Sequence, residues 1–297
     1  MKILIFGANG FVGADIAKYL TERGHQVARV SRSVLPNFIS IDIRDSRQFD
    51  DLAFEPDVVI NCASVVPIQG KISSDPEYLK EMFMTNVIGA VNVANWAVKM
   101  KVDRIINCST LVVVKKPWPQ PLVEEHVAIP EGMHAGYCLS KLNQEQLMNE
   151  CVKGSSTSLT HVRLSAVYGA LMKKEGIIFH ILNSLKNNQP VTLTNASKVT
   201  FDFINVKDVS RSINTIMQCP FQHSMINLAS GKQITLLELA ETLKSITSSS
   251  SRILNSDTDA EPSLSAVDVT KLRQNIGQVY EEFISIREGL KALLTES

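Results

Sequence analysis

A glycine-rich segment near the start of the chain constrains the fold more than any other feature. It follows an apolar run at residues 2–6, typical of a buried parallel strand, and precedes a stretch at 11–23 with apolar side chains at helical spacing. Its glycines have the spacing G-x-x-G-x-x-G, a variant of the dinucleotide-binding pattern G-x-G-x-x-G. Such glycines permit a tight turn, a close approach of pyrophosphate and close packing of the helix on the strand. The predicted cofactor contacts in this segment are Gly7, Asn9, Gly10, Phe11, Val12 and Gly13. A plain strand–turn–helix connection is the alternative.

Short apolar runs and helical stretches alternate through the first half of the chain. Further strands are predicted at 27–30, 38–41, 57–61, 104–107 and 159–164, with long helices at about 78–100 and 134–151. This alternation predicts an α/β fold, a doubly wound parallel sheet of the Rossmann type with right-handed crossovers. The second half is less regular. Its predicted helices are 176–187, 206–217, 235–246 and 284–294, its short strands lie near 191–193 and 225–229, and the serine-rich stretch 247–263 is predicted to be a loop or linker.

Composition excludes several classes of protein. The 297 residues are 44% hydrophobic, and 30 basic residues balance 30 acidic ones, so the chain is neither disordered nor a strongly basic nucleic-acid binder. No apolar run approaches the roughly 20 residues of a membrane helix, and the pattern of a signal peptide is missing. We therefore expect a cytoplasmic protein without membrane or nucleic-acid partners. The five cysteines lack disulfide or zinc spacing, which predicts reduced thiols and no metal site.

The end of the second predicted strand bears on the choice of cofactor. Dinucleotide folds that bind NAD usually place an acid there to hold the ribose hydroxyls. Here the strand ends in Ser31 and Arg32, which we predict to contact the cofactor, and a guanidinium can pair with a 2′-phosphate. The sequence therefore favours NADP over NAD. A solvated loop arginine is the alternative.

Tyr137 and Lys141 are four residues apart on a predicted helix and therefore share one face. A lysine ammonium beside a phenol favours its ionisation, and a phenol so tuned can donate or accept a proton near neutral pH. The fifth strand leads to Thr110, and the carboxyl ends of strands form the ligand crevice of an open parallel sheet. We expect Thr110 and Tyr137 to hold a carbonyl oxygen while a hydride reaches its carbon. A surface tyrosine with a solvated lysine is the alternative.

In this order, the motifs resemble the extended short-chain dehydrogenase/reductase family, and within it the NAD-dependent epimerase/dehydratase group that acts on nucleotide sugars. The resemblance covers nearly the whole chain. Further matching segments are Asp42-Ile43, Asn61-Cys62-Ala63, Asn86 in the segment 85–89, Arg163 through Gly169, and the stretches 227–231 and 235–239. The resemblance implies a smaller, discontinuous C-terminal substrate-binding domain. We accordingly expect residues 1–165 and about 200–230 to form the dinucleotide-binding domain, and about 166–199 and 231–297 to form the substrate-binding region.

The resemblance also implies roles for single residues. Thr110 falls on the catalytic Ser/Thr position, and Tyr137 and Lys141 fall on the catalytic pair, which also contacts the cofactor. Further cofactor contacts are implied for Asp42, Ile43, Cys62, Ala63 and Asn86.

A homodimer is expected on the same ground, because family members often dimerise through the helices that here span about 80–100 and 135–151. Apolar residues of the first helix that fit such an interface are Met82, Phe83, Val87, Val91, Ala94 and Val98. Burial against the chain's own sheet explains these residues equally well.

Three departures from the family pattern narrow the expected reaction. Dehydratases place an Asp-Glu pair after the catalytic hydroxyl, whereas this chain has Leu111 and Val112, which argues against dehydration. Phe201 stands where the family often has a diphosphate-binding arginine, and the region before Asp268, where a second arginine is expected, is acidic. Acids repel a diphosphate. Those acids are Asp257, Asp259 and Glu261, and the lysines considered as substitutes for the arginines are Lys173, Lys174, Lys198 and Lys207.

The expected activity is hydride transfer between a nicotinamide, NADP or NAD, and a carbonyl or secondary alcohol. A nucleotide-sugar 4-keto reductase or epimerase fits best, with a nucleotide sugar as the small-molecule partner. Two alternatives stay open: an NADP-dependent reductase of a non-nucleotide carbonyl compound, and a non-catalytic NADP-sensing protein. His180 lies where the family's substrate pocket usually is, but a lone histidine on an apolar helix is more often structural.

Overall fold

The computed structural model of the chain describes residues 1–67, 75–127, 129–132, 134–220 and 223–296. Its strands are β1 (Lys2–Phe6), β2 (Gln26–Ser31), β3 (Ile39–Ser40), β4 (Val58–Asn61), β5 (Arg104–Thr110), β6 (Ser158–Leu164), β7 (Ala166–Tyr168), β8 (Val191–Thr194), β9 (Thr200–Asn205), β10 (Met225–Leu228), β11 (Gln233–Thr235) and β12 (Ile253–Ser256). Its helices are α1 (Phe11–Glu22), α2 (Pro76–Phe83), α3 (Ala90–Lys99), α4 (Ala135–Val152), α5 (Gly176–Lys186), α6 (Val206–Gln218), α7 (Leu236–Thr247), α8 (Thr270–Ile276), α9 (Gln278–Glu281) and α10 (Ile286–Glu296).

The main sheet is parallel and has helices on both faces. Its described strands lie in the order β10-β6-β5-β4-β1-β2-β3. Along β1, Ile3 and Ile5 belong to a core shared with α1, α6 and α8, while Leu4 and Phe6 belong to a core shared with α3 and α4. Because successive side chains of a strand point to opposite faces, burial on both sides explains the unbroken apolar run. The predicted doubly wound Rossmann fold is confirmed.

A smaller layer packs beyond one end of this sheet. It contains the described sheets β11-β9-β7 and β12-β8, and its core is formed by α5, α7 and α10 with these strands. The chain passes between the two layers more than once, because β9 lies in the smaller layer, whereas α6 packs on α1 and β10 returns to the main sheet. The predicted division into a dinucleotide-binding and a substrate-binding part stays a prediction.

Two local features differ from the expectation. The serine-rich stretch 247–263 is not only a loop, because β12 lies within it and pairs in parallel with β8. Three of its four side chains are exposed, so the strand carries no apolar alternation by which the sequence would reveal it. The long helix predicted at about 78–100 is α2 and α3 joined by a π-helical turn over Met84–Gly89. No helix in the described ranges has both the length and the apolar character needed to cross a bilayer.

Candidate active site

A cleft of about 200 Å³ opens at the carboxyl ends of β1, β2 and β4. This is the edge at which open parallel sheets bind ligands. The predicted cofactor residues that line it are Gly7, Asn9, Gly10, Ser31, Arg32, Asp42, Ile43, Cys62 and Ala63. The lining also includes Ser33, Ser64, Val65 and Thr85, which were not predicted as cofactor contacts. Ser64 and Val65 follow the matching segment 61–63, and Thr85 begins the matching segment 85–89.

The glycine turn is fixed by close backbone contacts. Gly7 has a φ of +75°, and a Cβ there would lie 2.6 Å from the Ala63 amide nitrogen. A Cβ on Gly13 would lie 2.3 Å from the Gly7 carbonyl oxygen, so only glycine permits this packing. Phe11 and Val12 begin α1, and the residue before them, Gly10, supplies no side-chain cap. The N–H groups of the first turn therefore have no side-chain cap and can donate hydrogen bonds to phosphate oxygens.

The part of the cleft that adjoins β2 and β3 contains two ion pairs. Arg32 lies 3.4 Å from the Glu81 carboxylate, and the side chains of both residues are more than a third exposed. Asp42 accepts hydrogen bonds of 2.9 Å and 3.0 Å from Arg44 Nε, which lower the pKa of its carboxyl. Ser31 is buried, and its hydroxyl accepts from the Ser33 amide. The arginine at this end is thus exposed and weakly paired, whereas the aspartate is held in place.

Asn86 lies behind the cleft wall rather than in it. Its amide donates to the Val65 carbonyl (2.9 Å) and to the Ser140 hydroxyl (2.9 Å), and its side-chain oxygen accepts from the Val65 amide (2.7 Å) and from Ser64 (3.2 Å). The side chain is fully buried. The hydrogen-bonding groups of this side chain are all bonded to other parts of the protein. Asn86 therefore joins the Ser64–Val65 segment to α4.

Tyr137 is half-buried in the first turn of α4, and its phenol contacts Ser64 at the cleft. Burial raises the pKa of this phenol well above its usual range, and the hydrogen bond with Ser64 only partly offsets that effect. Among the described residues no hydrogen bond joins the Tyr137 hydroxyl to Lys141. The lowering of the phenol pKa that the Tyr-Lys spacing predicts is therefore not produced by the protein groups alone.

Lys141 is buried between α4 and β5. Its ammonium donates to the Cys108 carbonyl at 2.7 Å and to Gln144 Oε1 at 2.5 Å. Gln144 in turn donates to the carbonyl of Asn86 in the π-helical turn at 2.8 Å. Burial lowers the pKa of Lys141 to about 8, although nearby acidic groups, chiefly Cys108 and Glu145, act in the opposite direction. Gln144, which was not predicted from the sequence, links the lysine to the π-helical turn that carries Asn86.

A row of polar side chains continues this network across the sheet. Asn61, Asn107 and His161 are in register on β4, β5 and β6. Asn61 donates to Asn107 at 2.9 Å, and Asn107 lies 3.1 Å from both Gln144 Oε1 and His161 Nδ1. Burial lowers the pKa of His161 to about 4, so the ring is neutral at physiological pH. The row holds the strand ends beneath the cleft without adding a charge.

Thr110 is the last residue of β5, and it is half-exposed. Its hydroxyl accepts from the Val112 amide at 3.4 Å. The residue before it, Ser109, donates to Glu145, which forms a fully buried ion pair with Arg163 at 2.7 Å. The two residues before Thr110 in β5 thus both bond to α4. Ser109 donates to Glu145, and the carbonyl of Cys108 accepts from Lys141. Thr110 thus lies at the end of β5, whereas Tyr137 and Lys141 lie in the first two turns of α4, with Tyr137 bonded to Ser64 of the cleft lining.

In the smaller layer, Phe201 stands at the position where the family often has a diphosphate-binding arginine. Phe201 stacks on Phe203 with ring centroids 5.4 Å apart. The Lys198 ammonium donates to the Thr258 carbonyl at 2.9 Å, so it is bonded to the loop that follows β12. His180 is exposed on α5. Phe201 is thus packed against a second ring, and the ammonium of Lys198 is bonded within its own part of the layer.

Comparison with known proteins gives one family and several distant relatives. A UDP-N-acetyl-alpha-D-glucosaminuronate decarboxylase from Bacillus cytotoxicus is 24% identical over 278 residues, which cover 86% of this chain and 83% of the relative. A CDP-abequose synthase from Salmonella muenchen is 24% identical over 85% of this chain and 83% of its own length. The solved UDP-glucuronic acid 4-epimerase from Bacillus cereus, in complex with NAD, has a TM-score of 0.82 and 20% identity, with 100% and 96% of the two chains covered. These likenesses support the fold and the predicted class of activity.

The family profile described as the NAD dependent epimerase/dehydratase family matches residues 3–229. That range contains the glycine turn, the cleft and the residues from Thr110 to Lys141, and it makes up most of the chain. The family resemblance predicted from the motifs is confirmed: the chain belongs to the NAD dependent epimerase/dehydratase family.

Proposed function

We propose that this chain is an NAD(P)-dependent enzyme that transfers a hydride to or from a carbon of a nucleotide sugar, as a 4-keto reductase or an epimerase. The observation that carries the proposal is the arrangement at one edge of the sheet. The glycine turn lines the cleft, and the Tyr137 phenol bonds to Ser64, which also lines it. Lys141, on α4, donates to the carbonyl of Cys108 in β5, and Thr110 ends that strand. The family and its nucleotide-sugar relatives support the same activity.

In the proposed mechanism Tyr137 donates a proton to the substrate oxygen during reduction and removes it during oxidation. The nicotinamide, when bound, supplies or accepts the hydride, and the positive charge of its oxidised ring favours an ionised phenol. Lys141 orients the cofactor ribose and adds positive charge beside Tyr137, while Thr110 holds the substrate oxygen. Leu111 and Val112 supply no acid or base after Thr110, so the proposal does not include dehydration.

The proposed cofactor preference is for NADP. No acid directly follows β2, and Arg32 lines the cleft with the exposed Glu81 as its ion-pair partner among the residues that the structure describes. A 2′-phosphate carries more charge than a carboxylate and forms bidentate hydrogen bonds with arginine. We expect NADPH to bind more tightly than NADH to the intact protein, and Arg32→Ala to remove the difference. Equal affinities in the unchanged protein would contradict the preference.

Turnover of two panels of UDP- and CDP-linked sugars tests the proposed function: 4-keto sugars with NADPH, and 4-hydroxy sugars with the oxidised cofactor. A reductase consumes one NADPH for each product formed, whereas an epimerase forms product without net consumption. Either result supports the proposal, and the ratio assigns the reaction. Tight NADPH binding without turnover of any nucleotide sugar would instead favour a non-catalytic cofactor-sensing protein.

A second candidate is an NADP-dependent reductase of a carbonyl compound that has no nucleotide. The specific observation is the stack of Phe201 on Phe203 at the position of the family arginine, together with the commitment of Lys198 to its loop. An apolar wall suits an uncharged substrate better than a diphosphate. Faster turnover of simple ketones than of nucleotide sugars would favour this candidate.

We also propose a homodimer through the helical face opposite the main sheet. Met82, Val87 and Ala94 are buried within the chain itself, so they do not form that interface. The large apolar residues that are exposed in the described part of the two predicted helices are Met84, Ile88, Met100 and Leu147. Light scattering of the unchanged protein and of Ile88→Asp tests this proposal, with a dimer expected for the first and a monomer for the second.

A further inference from the structure

Two of the cysteines lie side by side at the cleft, although the sequence gives them no recognisable spacing. Cys62 follows the end of β4, and Cys108 lies in β5. The residues just before them, Asn61 and Asn107, are register partners, so the two cysteines continue the same pairing by one position. Their sulfur atoms are 3.5 Å apart. The other cysteines are Cys138, Cys151 and Cys219, and all five are free thiols.

The surroundings of the pair combine access with activation. Cys62 is half-buried and lines the cleft, whereas Cys108 is only 8% exposed beneath it. The Lys141 ammonium donates to the carbonyl of Cys108 itself. The hydrogen bond with Cys62 lowers the pKa of the Cys108 thiol, the Lys141 charge acts in the same direction, and the pKa of Cys62 is raised. Of the two thiols, that of Cys108 is therefore the more readily deprotonated, and the Cys62 thiol is in contact with it.

The strand geometry permits a bond between the two sulfurs. Neighbouring strands are about 4.8 Å apart, which lies within the Cα separations of about 4.4–6.8 Å found for disulfides. The sulfurs must move from 3.5 Å to about 2.05 Å. Side-chain rotation brings them together without moving either strand to a new register.

We propose that Cys62 and Cys108 form a modification site for peroxides, at which the two thiols are oxidised to a disulfide in the wall of the cleft. The Cys108 thiolate attacks one oxygen of hydrogen peroxide, the O–O bond breaks, and the products are a sulfenic acid and water after protonation. The Cys62 sulfur then attacks the sulfenic sulfur, the S–O bond breaks, and a second water leaves. Two thiols lose two hydrogens and two electrons, and one peroxide is reduced to two waters.

The site test uses the intact protein and hydrogen peroxide at a few equivalents. We expect the loss of two alkylatable thiols, a mass decrease of two hydrogens, a cross-linked peptide pair that contains Cys62 and Cys108, and full reversal by dithiothreitol. Cys62→Ser and Cys108→Ser should abolish the cross-link, with Cys62→Ala as the substitute where the serine variant does not fold. Cys138→Ser is the matched control and should leave it unchanged.

A disulfide that involves any other cysteine, or stepwise oxidation of single cysteines without a cross-link, would overturn the proposal. The peptide map of the unchanged protein decides this without any variant.

A second arm rests on the proposed function, because it requires the cofactor to occupy the same cleft. Saturating NADPH should slow the peroxide reaction at least tenfold, since Cys62 lines the cleft that the cofactor would fill. The peroxide cross-linking experiment and the NADPH protection experiment test different claims. NADPH that does not bind contradicts the proposed function and leaves the cross-linking result to decide the thiol site. NADPH that binds without protection contradicts the placement of the pair in the cofactor cleft.

Discussion

The cofactor edge of the main sheet and the smaller layer beyond it are built on different kinds of constraint. At the cofactor edge the requirements fall on the backbone and on the side chains that bond to it: Gly7 and Gly13 have no room for a Cβ, the Asn86 amide bonds to the backbone of Val65, and the Gln144 amide donates to the carbonyl of Asn86. In the smaller layer the requirements fall on single side chains such as Phe201. A backbone requirement admits few residue types, whereas a binding side chain can be exchanged without disturbing the fold. The first region should therefore lose function or stability on almost any change, and the second should accept change and alter its specificity.

Tyr137→Phe should produce the largest effect on activity. Loss of a positioned general acid costs about 10²–10⁴-fold in turnover, while cofactor affinity should stay within a few-fold. Stopped-flow rates and NADPH titrations of the two proteins measure both quantities. Tyr19→Phe, on α1, is the matched control and should change neither. Near-normal turnover of Tyr137→Phe would remove this residue from the mechanism.

Arg163→Met should produce the largest loss of stability. It leaves the Glu145 carboxylate buried without its ion-pair partner, which costs about 3–5 kcal/mol of unfolding free energy. Lys198→Met removes a cation from an exposed loop of the smaller layer and should cost less than about 1 kcal/mol. Urea unfolding of both variants measures the contrast between the two regions. Equal losses would contradict it.

The stability of the protein should depend on pH through Lys141. Its pKa of about 8 in the folded state lies below the ordinary 10.5, so between these values the unfolded chain binds more protons than the folded one. The unfolding free energy therefore rises with pH across this window, by up to about 3 kcal/mol at roughly 1.4 kcal/mol per pKa unit. Lys141→Met lacks this contribution. The difference in unfolding free energy between the two proteins is measured with urea from pH 7 to pH 10.5. It should change by that amount in favour of the unchanged protein. A constant difference would contradict the lowered pKa of Lys141.

Gly10→Ala and Gly13→Ala separate packing from cofactor binding. A Cβ on Gly13 meets the Gly7 carbonyl at 2.3 Å, so we expect a loss of about 1–3 kcal/mol in stability together with weaker NADPH binding. A Cβ on Gly10 meets only the Gly7 carbonyl at 3.3 Å, so stability should change less while NADPH affinity falls. Thermal unfolding and NADPH titration distinguish the two. A large loss of stability in Gly10→Ala would show that this position also serves packing.

Phe201→Arg should produce the smallest effect, and in the opposite direction. A charge-assisted hydrogen bond contributes about 1.5–3 kcal/mol, so the variant should bind UDP about tenfold more tightly or better. Phe201→Leu, which removes the aromatic stack without adding charge, is the matched control and should leave UDP affinity unchanged. Unchanged UDP affinity in Phe201→Arg would place the nucleotide elsewhere in the smaller layer.

The sequence predicted the features that repeat a backbone pattern and missed those that depend on tertiary contact. The glycine turn and the buried strands follow from spacing and periodicity, so the fold of the first half could be predicted from the sequence. The strand β12 could not be predicted, because its side chains are mostly exposed and its pairing with β8 joins segments some sixty residues apart. Ser64, Gln144 and the contact between Cys62 and Cys108 were missed for the same reason: no local spacing records which side chains meet across strands and helices.

The transfer of deuterium from reduced cofactor to sugar tests the central claim most directly. The protein is incubated with NADPH deuterated at the hydride-donating carbon and with UDP- and CDP-linked 4-keto sugars, and the products are analysed by NMR. A reductase should place one deuterium on the former carbonyl carbon, and Tyr137→Phe should suppress that product. A reduced product that carries hydrogen from solvent at this carbon, or labelled product formed at the same rate without the phenol, would contradict hydride transfer at this site.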